Sequence, residues 1–332
     1  MKKIGSFNLG LAFAGCFLGA GYVSGQELWQ FFGSFGAKGV AGLLVAVALL
    51  FFTGIIMILL GRLTRLSEID KIVVRRDWPL LRGAVTVLEL LFLFGVGTIM
   101  SAGVGALLEQ LFGLAPFIGS AVFAALVAVV SLIFGVMSIC SNGLVLPQSG
   151  GGSNPLMSSW LVAAVSFACY NVFGSIAMIA PLGPYVKSKK AAVGGIAIGA
   201  CVLLLIAGSV LVSVSAAPET ADAQLPMLAL AQSRGIVWGY VYGVLLLLAM
   251  FGTALSSLVA FVSMLAAKSA RISGHKNKFT ALCALCMFLG SLFGFGDLIG
   301  VVYPIFGYCS SVFIVLMAVH YFKVKKQNAQ KA

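Results

Sequence analysis

Gly19-Ala20-Gly21-Tyr22-Val23-Ser24-Gly25-Gln26-Glu27 lies inside an apolar stretch, residues 7–32, that is long enough to cross a membrane. Gly19 comes 12 residues after Phe7, near the expected centre of the bilayer. The glycines predict an interrupted helix, and lipid offers no hydrogen-bond partners to backbone groups that an interruption leaves free. Such groups must therefore face protein, water or a ligand. The alternative is that the glycines let two helices pack closely.

A second stretch of polar residues and glycine, Tyr170 to Ser175, begins 13 residues into the apolar segment 157–181. It lies at nearly the same depth as the first. Paired interruptions are typical of transporters built from two inverted repeats. The sequence therefore predicts that helices 1 and 6 are both discontinuous.

The composition excludes a soluble globular protein. Of 332 residues, 61% are hydrophobic and 9% are charged, whereas soluble domains have roughly 45–50% and about 25%. Further apolar segments predict membrane spans at residues 40–60, 84–108, 116–134, 191–216, 236–267 and 279–321. The last is too long for one helix and breaks at Gly294-Phe295-Gly296-Asp297 into two.

Charge predicts the number of spans. The formal net charge is +12, and 19 of the 21 Lys and Arg residues fall in five loop clusters, at 2–3, 62–82, 187–190, 268–278 and 323–331. Basic loops stay on the cytoplasmic side. All five clusters share that side only if the weakly apolar segment 135–154 also crosses as a fifth span.

The sequence therefore predicts an all-α polytopic membrane protein with about ten transmembrane helices in a 5+5 inverted repeat. It forms one transmembrane domain over residues 1–332, with repeats at about 7–154 and 157–321 and a short cytoplasmic tail, 322–332. Both termini are expected in the cytoplasm, and the protein in the cell membrane. Phe13-Ala14-Gly15-Cys16 resembles a lipoprotein cleavage box, but the apolar run continues to Phe32, which favours a retained first span.

Acidic residues inside the spans are the first candidates for function, because an ionised side chain at mid-membrane costs about 2.5–3.5 kcal/mol. Glu27 is a candidate for a substrate amine, a coupling proton or a gate; the alternative is an acceptor that fixes a helix. Glu89 is expected to pair with Arg82 or a neighbour near the membrane surface. Asp297 is expected to cap a helix.

The substrate is expected between the two interruptions, beside span three. The candidate residues are Gly19, Ala20, Gly21, Glu27, Thr98, Ser101, Tyr170, Asn171, Gly174 and Ser175. Three hydroxyls on span eight, Thr253, Ser256 and Ser257, share one helical face and predict a Na⁺ site together with the carbonyls of Phe17, Gly19 and Tyr22. The alternative is that these hydroxyls bond back to their own helix.

At these residues the chain resembles a known family. The stretch from Gly19 to Phe32, followed by Phe35-Gly36-Ala37-Lys38-Gly39, resembles the opening of YkvI-type membrane proteins, a branch of the amino acid/polyamine/organocation transporter superfamily. Further matches are Tyr170-Asn171, Pro181-Leu182-Gly183, Pro226-Met227-Leu228, and Gly294-Phe295 with Tyr303-Pro304-Ile305-Phe306-Gly307-Tyr308. The resemblance implies a LeuT-type fold and a secondary transporter. It also strengthens the sodium site, because that fold shares the hydroxyl spacing. It departs at 135–155, where a more continuously apolar helix is expected.

The predicted function is symport, coupled to Na⁺ or H⁺, of an amino acid or a related small organic amine or zwitterion by alternating access. The expected partners are a small-molecule substrate and the lipid bilayer, without nucleic acid. No cofactor is expected beyond the coupling ion, and no enzyme activity. A nutrient-sensing receptor without net flux is the main alternative. A channel is disfavoured, because two interruptions suit an occluded site better than a continuous pore.

Overall fold

The computed structural model describes residues 3–66, 68–75, 78–101, 136, 140–141, 143–147, 154–291, 293 and 295–331. This part of the chain is helical, and its extended pairing is one bridge between Ile4 and Val186. The α-helices are α1 (Ser6–Phe17), α2 (Ala20–Ser24), α3 (Gln26–Phe31), α4 (Ala37–Thr64), α5 (Ile69–Val73), α6 (Pro79–Ser101), α7 (Trp160–Ile179), α8 (Lys189–Ser215), α9 (Pro226–Ser233), α10 (Ile236–Lys268), α11 (Ala270–Gly274), α12 (Lys276–Ser291) and α13 (Phe295–Lys331). Short 3₁₀ helices cover Gly33–Phe35, Ala180–Tyr185 and Pro218–Thr220.

Six helices in this described part, α4, α6, α7, α8, α10 and α13, are long and apolar enough to cross a membrane. The chain is thus an all-α membrane protein, as its composition predicts. The last apolar block is divided into two helices near Gly294, as predicted, because α12 ends at Ser291 and α13 begins at Phe295. Of these two, α13 is among the six long apolar helices. The spans predicted at 116–134 and 135–154 lie outside the described residues, apart from isolated positions in the second.

The first span is interrupted, as predicted, and in two places. Helix α1 ends at Phe17, and the Gly19 N–H donates to the carbonyl oxygen of Phe17, 2.8 Å away, instead of continuing the helical pattern. Ala20 and Gly21 are themselves helical. The second interruption is Gly25, whose φ of +81° favours glycine because a Cβ is strained in this region. Three short helices therefore replace one continuous span.

The predicted interruption of helix 6 is wrong. Helix α7 is a regular α-helix from Trp160 through Ile179, without a break between Tyr170 and Ser175. Its polar side chains bond to carbonyls of the same helix: Asn171 Nδ2 donates to Phe167 O at 3.0 Å, and Ser175 Oγ to Val172 O at 2.9 Å. The helix ends near Pro181, where the chain becomes a 3₁₀ helix. Because the helix is continuous, the backbone groups of residues 170–175 bond within it, and these two side chains bond to its carbonyls as well.

Close helix contacts at glycines place the first span in the centre of the helical bundle. A Cβ at Gly199 of α8 would lie 2.7 Å from the ring of Phe13 in α1, and one at Gly54 of α4 would also lie 2.7 Å from that ring. Helix α7 packs between α4 and α13. The interrupted span is consequently enclosed by α4, α7 and α8.

The described residues of the five basic clusters lie on one side of the bundle, which we call the basic face. The Lys187 N–H donates to Ile4 O at 3.1 Å, and Arg62 Nη1 donates to Val186 O at 2.6 Å. His320 Nδ1 lies 2.7 Å from Ile72 O, which joins α5 to the last third of α13. Lys268, at the end of α10, and Asp70 are the charged neighbours of Glu89.

The same contacts fix where two helices meet the opposite face. Helix α6 begins at the basic face and ends at Ser101 after 23 residues, which is about 34 Å of helix. Helix α7 begins beside the start of α4, because a Cβ at Gly42 would lie 3.2 Å from Trp160 O. The end of α6 and the start of α7 therefore lie on the face opposite the basic one.

Candidate functional site

The Glu27 carboxyl is the centre of the candidate site. Its side chain is 5% exposed, and its Oε1 accepts a hydrogen bond from the Tyr170 hydroxyl. The Asn171 side chain lies next to the same carboxyl. The ring of Tyr303 stacks on the ring of Tyr170, with centroids 4.7 Å apart and planes 18° from parallel. Helices α3, α7 and α13 thus meet at one acidic group.

The site lies near the middle of the membrane. Tyr170 is the eleventh residue of the 20-residue α7, so it is about 15 Å from the helix start. Tyr303 lies eight residues after the start of α13, about 12 Å along it. Because the hydrocarbon core is about 30 Å thick, these depths place the Glu27 carboxyl close to its centre.

Two glycines of the first span determine the space around Glu27. At Gly21 a Cβ would overlap the Oε2 atom of Glu27, so the missing side chain makes room for the carboxyl. At Gly19 a Cβ would meet no atom within 4 Å, so the interruption borders open space. The carboxyl therefore lies against the backbone of α2. The open space lies next to Gly19, just before the start of the same helix.

Aromatic side chains surround the site next to the Tyr170 ring. The ring centroid of Phe31 lies 5.7 Å from that of Tyr170 and 5.6 Å from that of Phe167, and Phe32 lies 4.9 Å from Phe167. All of these rings are buried. Such surroundings exclude water and strengthen electrostatic interactions, and aromatic faces also attract organic cations.

No basic side chain neutralises Glu27 within the described residues. The ion pair seen between described residues joins Lys71 of α5 to Glu68, just before that helix, at 2.6 Å on the basic face. An ionised carboxylate in so apolar a place needs a cation, and a neutral one needs a proton. The site thus offers a place to an ammonium group or to a proton.

Tyrosines hold α2 on both sides. The Tyr22 hydroxyl donates to Leu203 O in α8 at 2.7 Å, and the Tyr242 hydroxyl of α10 donates to Val23 O at 2.7 Å. Both carbonyls are main-chain groups in buried surroundings. These bonds fix the short helix between the two interruptions to α8 and α10.

Three amide side chains lie between Glu27 and the face opposite the basic one. They were not among the site residues predicted from the sequence. Gln30 Nε2 donates to Gly296 O at 3.0 Å, and the Gly296 N–H donates to Gln224 Oε1 at 2.6 Å. Asn154 Nδ2 donates to Gly300 O at 2.6 Å. The available signal was that Gln30 follows Gln26 by one helical turn, on the same face of α3. Gln30 thus joins α3 to the first turns of α13, and Asn154 and Gln224 join the segments before α7 and α9 to the same turns.

The other predicted substrate residues are spread over several helix contacts. Ser175 is buried, with Oγ 4.0 Å from Met57 Sδ of α4. A Cβ at Gly174 would lie 2.6 Å from the Phe92 ring, and one at Gly290 would lie 2.6 Å from Thr98 Cγ2. Thr98 itself donates to Phe94 O at 2.8 Å.

The side chains of Ala20 and Ser101 lie outside the described residues. The structure therefore joins Gly21, Glu27, Tyr170 and Asn171, and places Thr98, Gly174 and Ser175 at packing contacts.

Two of the three span-eight hydroxyls bond within α10. Thr253 Oγ1 donates to Ala249 O at 2.9 Å, and the exposed Ser256 donates to Thr253 O at 3.1 Å. Ser257 is buried beside α6, and a Cβ at Gly97 would lie 3.6 Å from the Cβ of Ser257. Phe17 O accepts the Gly19 N–H, and Gly19 O accepts the Val23 N–H. The sodium site stays a prediction.

Sequence comparison finds two relatives in Bacillus subtilis (strain 168). The membrane protein YkvI is 26% identical over 336 residues, with 94% of this chain and 95% of YkvI covered. The protein YyaD is 25% identical over 331 residues, with 93% and 95% covered. No family model matches the chain.

Structural comparison finds the fold of a known transporter. The inward-facing conformation of Mhp1 matches with a TM-score of 0.57 at 17% sequence identity, covering 98% of this chain and 78% of Mhp1. At this identity the match speaks for the fold alone. The chain is a homologue of the YkvI membrane protein with the fold of Mhp1, a LeuT-fold transporter.

Proposed function

We propose that the protein is a secondary active transporter that moves an amino acid or a related small organic amine or zwitterion by alternating access. The fold shared with Mhp1 supports a transporter. The single observation that carries the substrate class is the buried Glu27 carboxyl at mid-membrane, which no described basic side chain neutralises. A substrate ammonium group would supply the missing positive charge.

The proposed architecture is ten transmembrane helices in two inverted repeats, at about 7–154 and 157–321, with both termini in the cytoplasm. The six long apolar helices and the interrupted first span support it. Helix α7 differs from the expected pattern, since it is continuous. Among the described spans, unwound backbone is therefore assigned to the first, and α7 contributes side chains, above all Tyr170.

We propose a proton as the coupling ion. Glu27 is a titratable group at the site, and the Tyr170 hydroxyl donates to it. The hydroxyls of Thr253 and Ser256 are used within α10, which gives sodium less support. Because the carboxylate holds either a proton or a substrate ammonium group, an imposed pH gradient is expected to drive substrate movement without Na⁺.

The test is uptake of labelled amino acids and amines by proteoliposomes under an imposed pH or Na⁺ gradient. Glu27→Gln keeps the size of the side chain but carries no charge or titratable proton, so we expect uptake to fall at least about tenfold. The matched control is Glu219→Gln, the same change at an exposed acid, with uptake equal to that of the parent chain. Equal uptake by both variants would contradict the role of Glu27.

The same experiment separates a transporter from a receptor. A receptor would bind a substrate saturably without accumulating it under either gradient. Binding that depends on Glu27 without uptake would keep the site and reject the transport function. Uptake driven by Na⁺ alone, and lost in Thr253→Ala/Ser257→Ala, would replace the proton with sodium.

A further inference from the structure

A cavity lies on the basic face, away from Glu27. It has a volume of about 570 Å³ and is bounded by the segment after α5, the first turns of α6 and the end of α13. This volume falls within the range of about 300–1,000 Å³ that is usual for small-molecule sites. The cavity is therefore large enough for a ligand with several functional groups.

The lining has two chemical parts. Arg75 and Lys323 are exposed cations from opposite sides, and neither forms an ion pair with an acid of the described residues. The walls between them are apolar and consist of Val73, Val74, Leu81, Leu316 and Val319. Such a site suits a ligand that carries a negative group next to hydrocarbon.

The surroundings place the cavity at the boundary between lipid and water. Trp78, which lines it, is 50% exposed, and tryptophan is enriched at this boundary. Leu80 and Phe322, next to lining residues, are 90% and 59% exposed. Large apolar side chains so exposed at the end of spanning helices face the acyl chains of the membrane. The cavity is thus open to a lipid molecule from the side.

We propose that this cavity binds the phosphate headgroup of an anionic phospholipid. Arg75 and Lys323 hold the phosphate from two sides, and the valine and leucine walls contact the first methylene groups of the acyl chains. His320 closes the cavity floor, with Nδ1 2.7 Å from Ile72 O, and links the lipid-binding segment to α13. Basic pockets on the cytoplasmic side of membrane proteins recognise lipid headgroups in this way.

The test compares lipids bound to the full-length protein in detergent, counted by native mass spectrometry after addition of phosphatidylglycerol or phosphatidylcholine. The parent chain is expected to prefer phosphatidylglycerol. Each basic residue near an anionic surface contributes roughly a fivefold factor. The double variant Arg75→Gln/Lys323→Gln is therefore expected to lose about 25-fold of this preference.

Three controls give the result its meaning. Lys326→Gln removes a charge from the same helix end outside the cavity and should keep the preference. Arg75→Lys/Lys323→Arg keeps both charges and should also keep it. An equal loss in Lys326→Gln and in the double variant would overturn the proposal. Inorganic phosphate that stabilises the parent chain against heat as much as phosphatidylglycerol would reject a lipid in favour of a soluble anion.

Discussion

Gly21 and Gly19 differ in what a single methyl group would meet. At Gly21 the Cβ would overlap Glu27 Oε2, whereas at Gly19 no atom lies within 4 Å. We expect Gly21→Ala to displace the carboxyl from Tyr170 and to lower uptake at least about tenfold. Gly19→Ala adds the same atoms two residues away and is expected to keep uptake within about twofold. Substrate uptake by proteoliposomes measures both, and an equal loss in the two variants would contradict this account.

The hydrogen bond between Tyr170 and Glu27 shows where sequence reasoning ends at this scale. Glu27 could be selected from the sequence because a charge at mid-membrane is costly, and Tyr170 because it lies in a polar stretch. Their contact spans 143 positions, and no local pattern encodes it. Tyr303 was not among the predicted site residues, since an aromatic residue in an apolar helix looks like any other packing group.

Helices α1 and α7 show that a stretch of glycine or polar residues in an apolar segment can end a helix in one place and leave it intact in another. In the first span, helix α1 ends at Phe17, and the Gly19 N–H bonds to Phe17 O instead of to a carbonyl one helical turn earlier. In α7, Asn171 and Ser175 satisfy themselves on carbonyls of their own helix. The composition distinguished both stretches from their apolar surroundings. It could not show which polar side chains would bond to carbonyls of their own helix. The spans themselves were predictable, because about 20 apolar residues are needed to cross lipid.

Hydrogen exchange distinguishes the two helices directly. The first N–H groups of α2, at Ala20, Gly21 and Tyr22, have no helical acceptor, whereas those of residues 171–175 bond to carbonyls one turn earlier. We expect peptides that cover 19–22 to exchange at least about tenfold faster than peptides that cover 171–175. Mass spectrometry of the protein in detergent gives both rates. Similar exchange in both segments would mean either that helix 6 is also interrupted or that helix 1 is not.

The basic face accounts for the net charge of the whole molecule. A charge of +12 would suggest an anionic macromolecule as partner if the chain were soluble, but the clusters assemble on one side of a helical bundle. That arrangement follows from the number of spans, so it could be predicted from charge and hydropathy together. The contacts that build it, such as Arg62 with Val186, could not.

Thiol labelling tests which side of the membrane this face occupies. Because basic loops are retained in the cytoplasm, we expect a membrane-impermeant maleimide to label Glu219→Cys in intact cells. Lys190→Cys and Lys326→Cys should become labelled only after the membrane is permeabilised. The parent chain, with its seven cysteines, gives the background. Labelling of Lys190→Cys in intact cells would reverse the orientation.

Gly25 separates two parts of the first span that are attached to different neighbours. On one side, Tyr22 and Tyr242 bind α2 to α8 and α10. On the other, Glu27 and Gln30 bind α3 to α7 and α13. Glycine has no Cβ, so the φ and ψ angles of this residue can change without a clash from a side chain of its own. If the two groups of helices rock against each other, their relative movement is concentrated in the two torsion angles of Gly25, which makes this residue the pivot of the bundle.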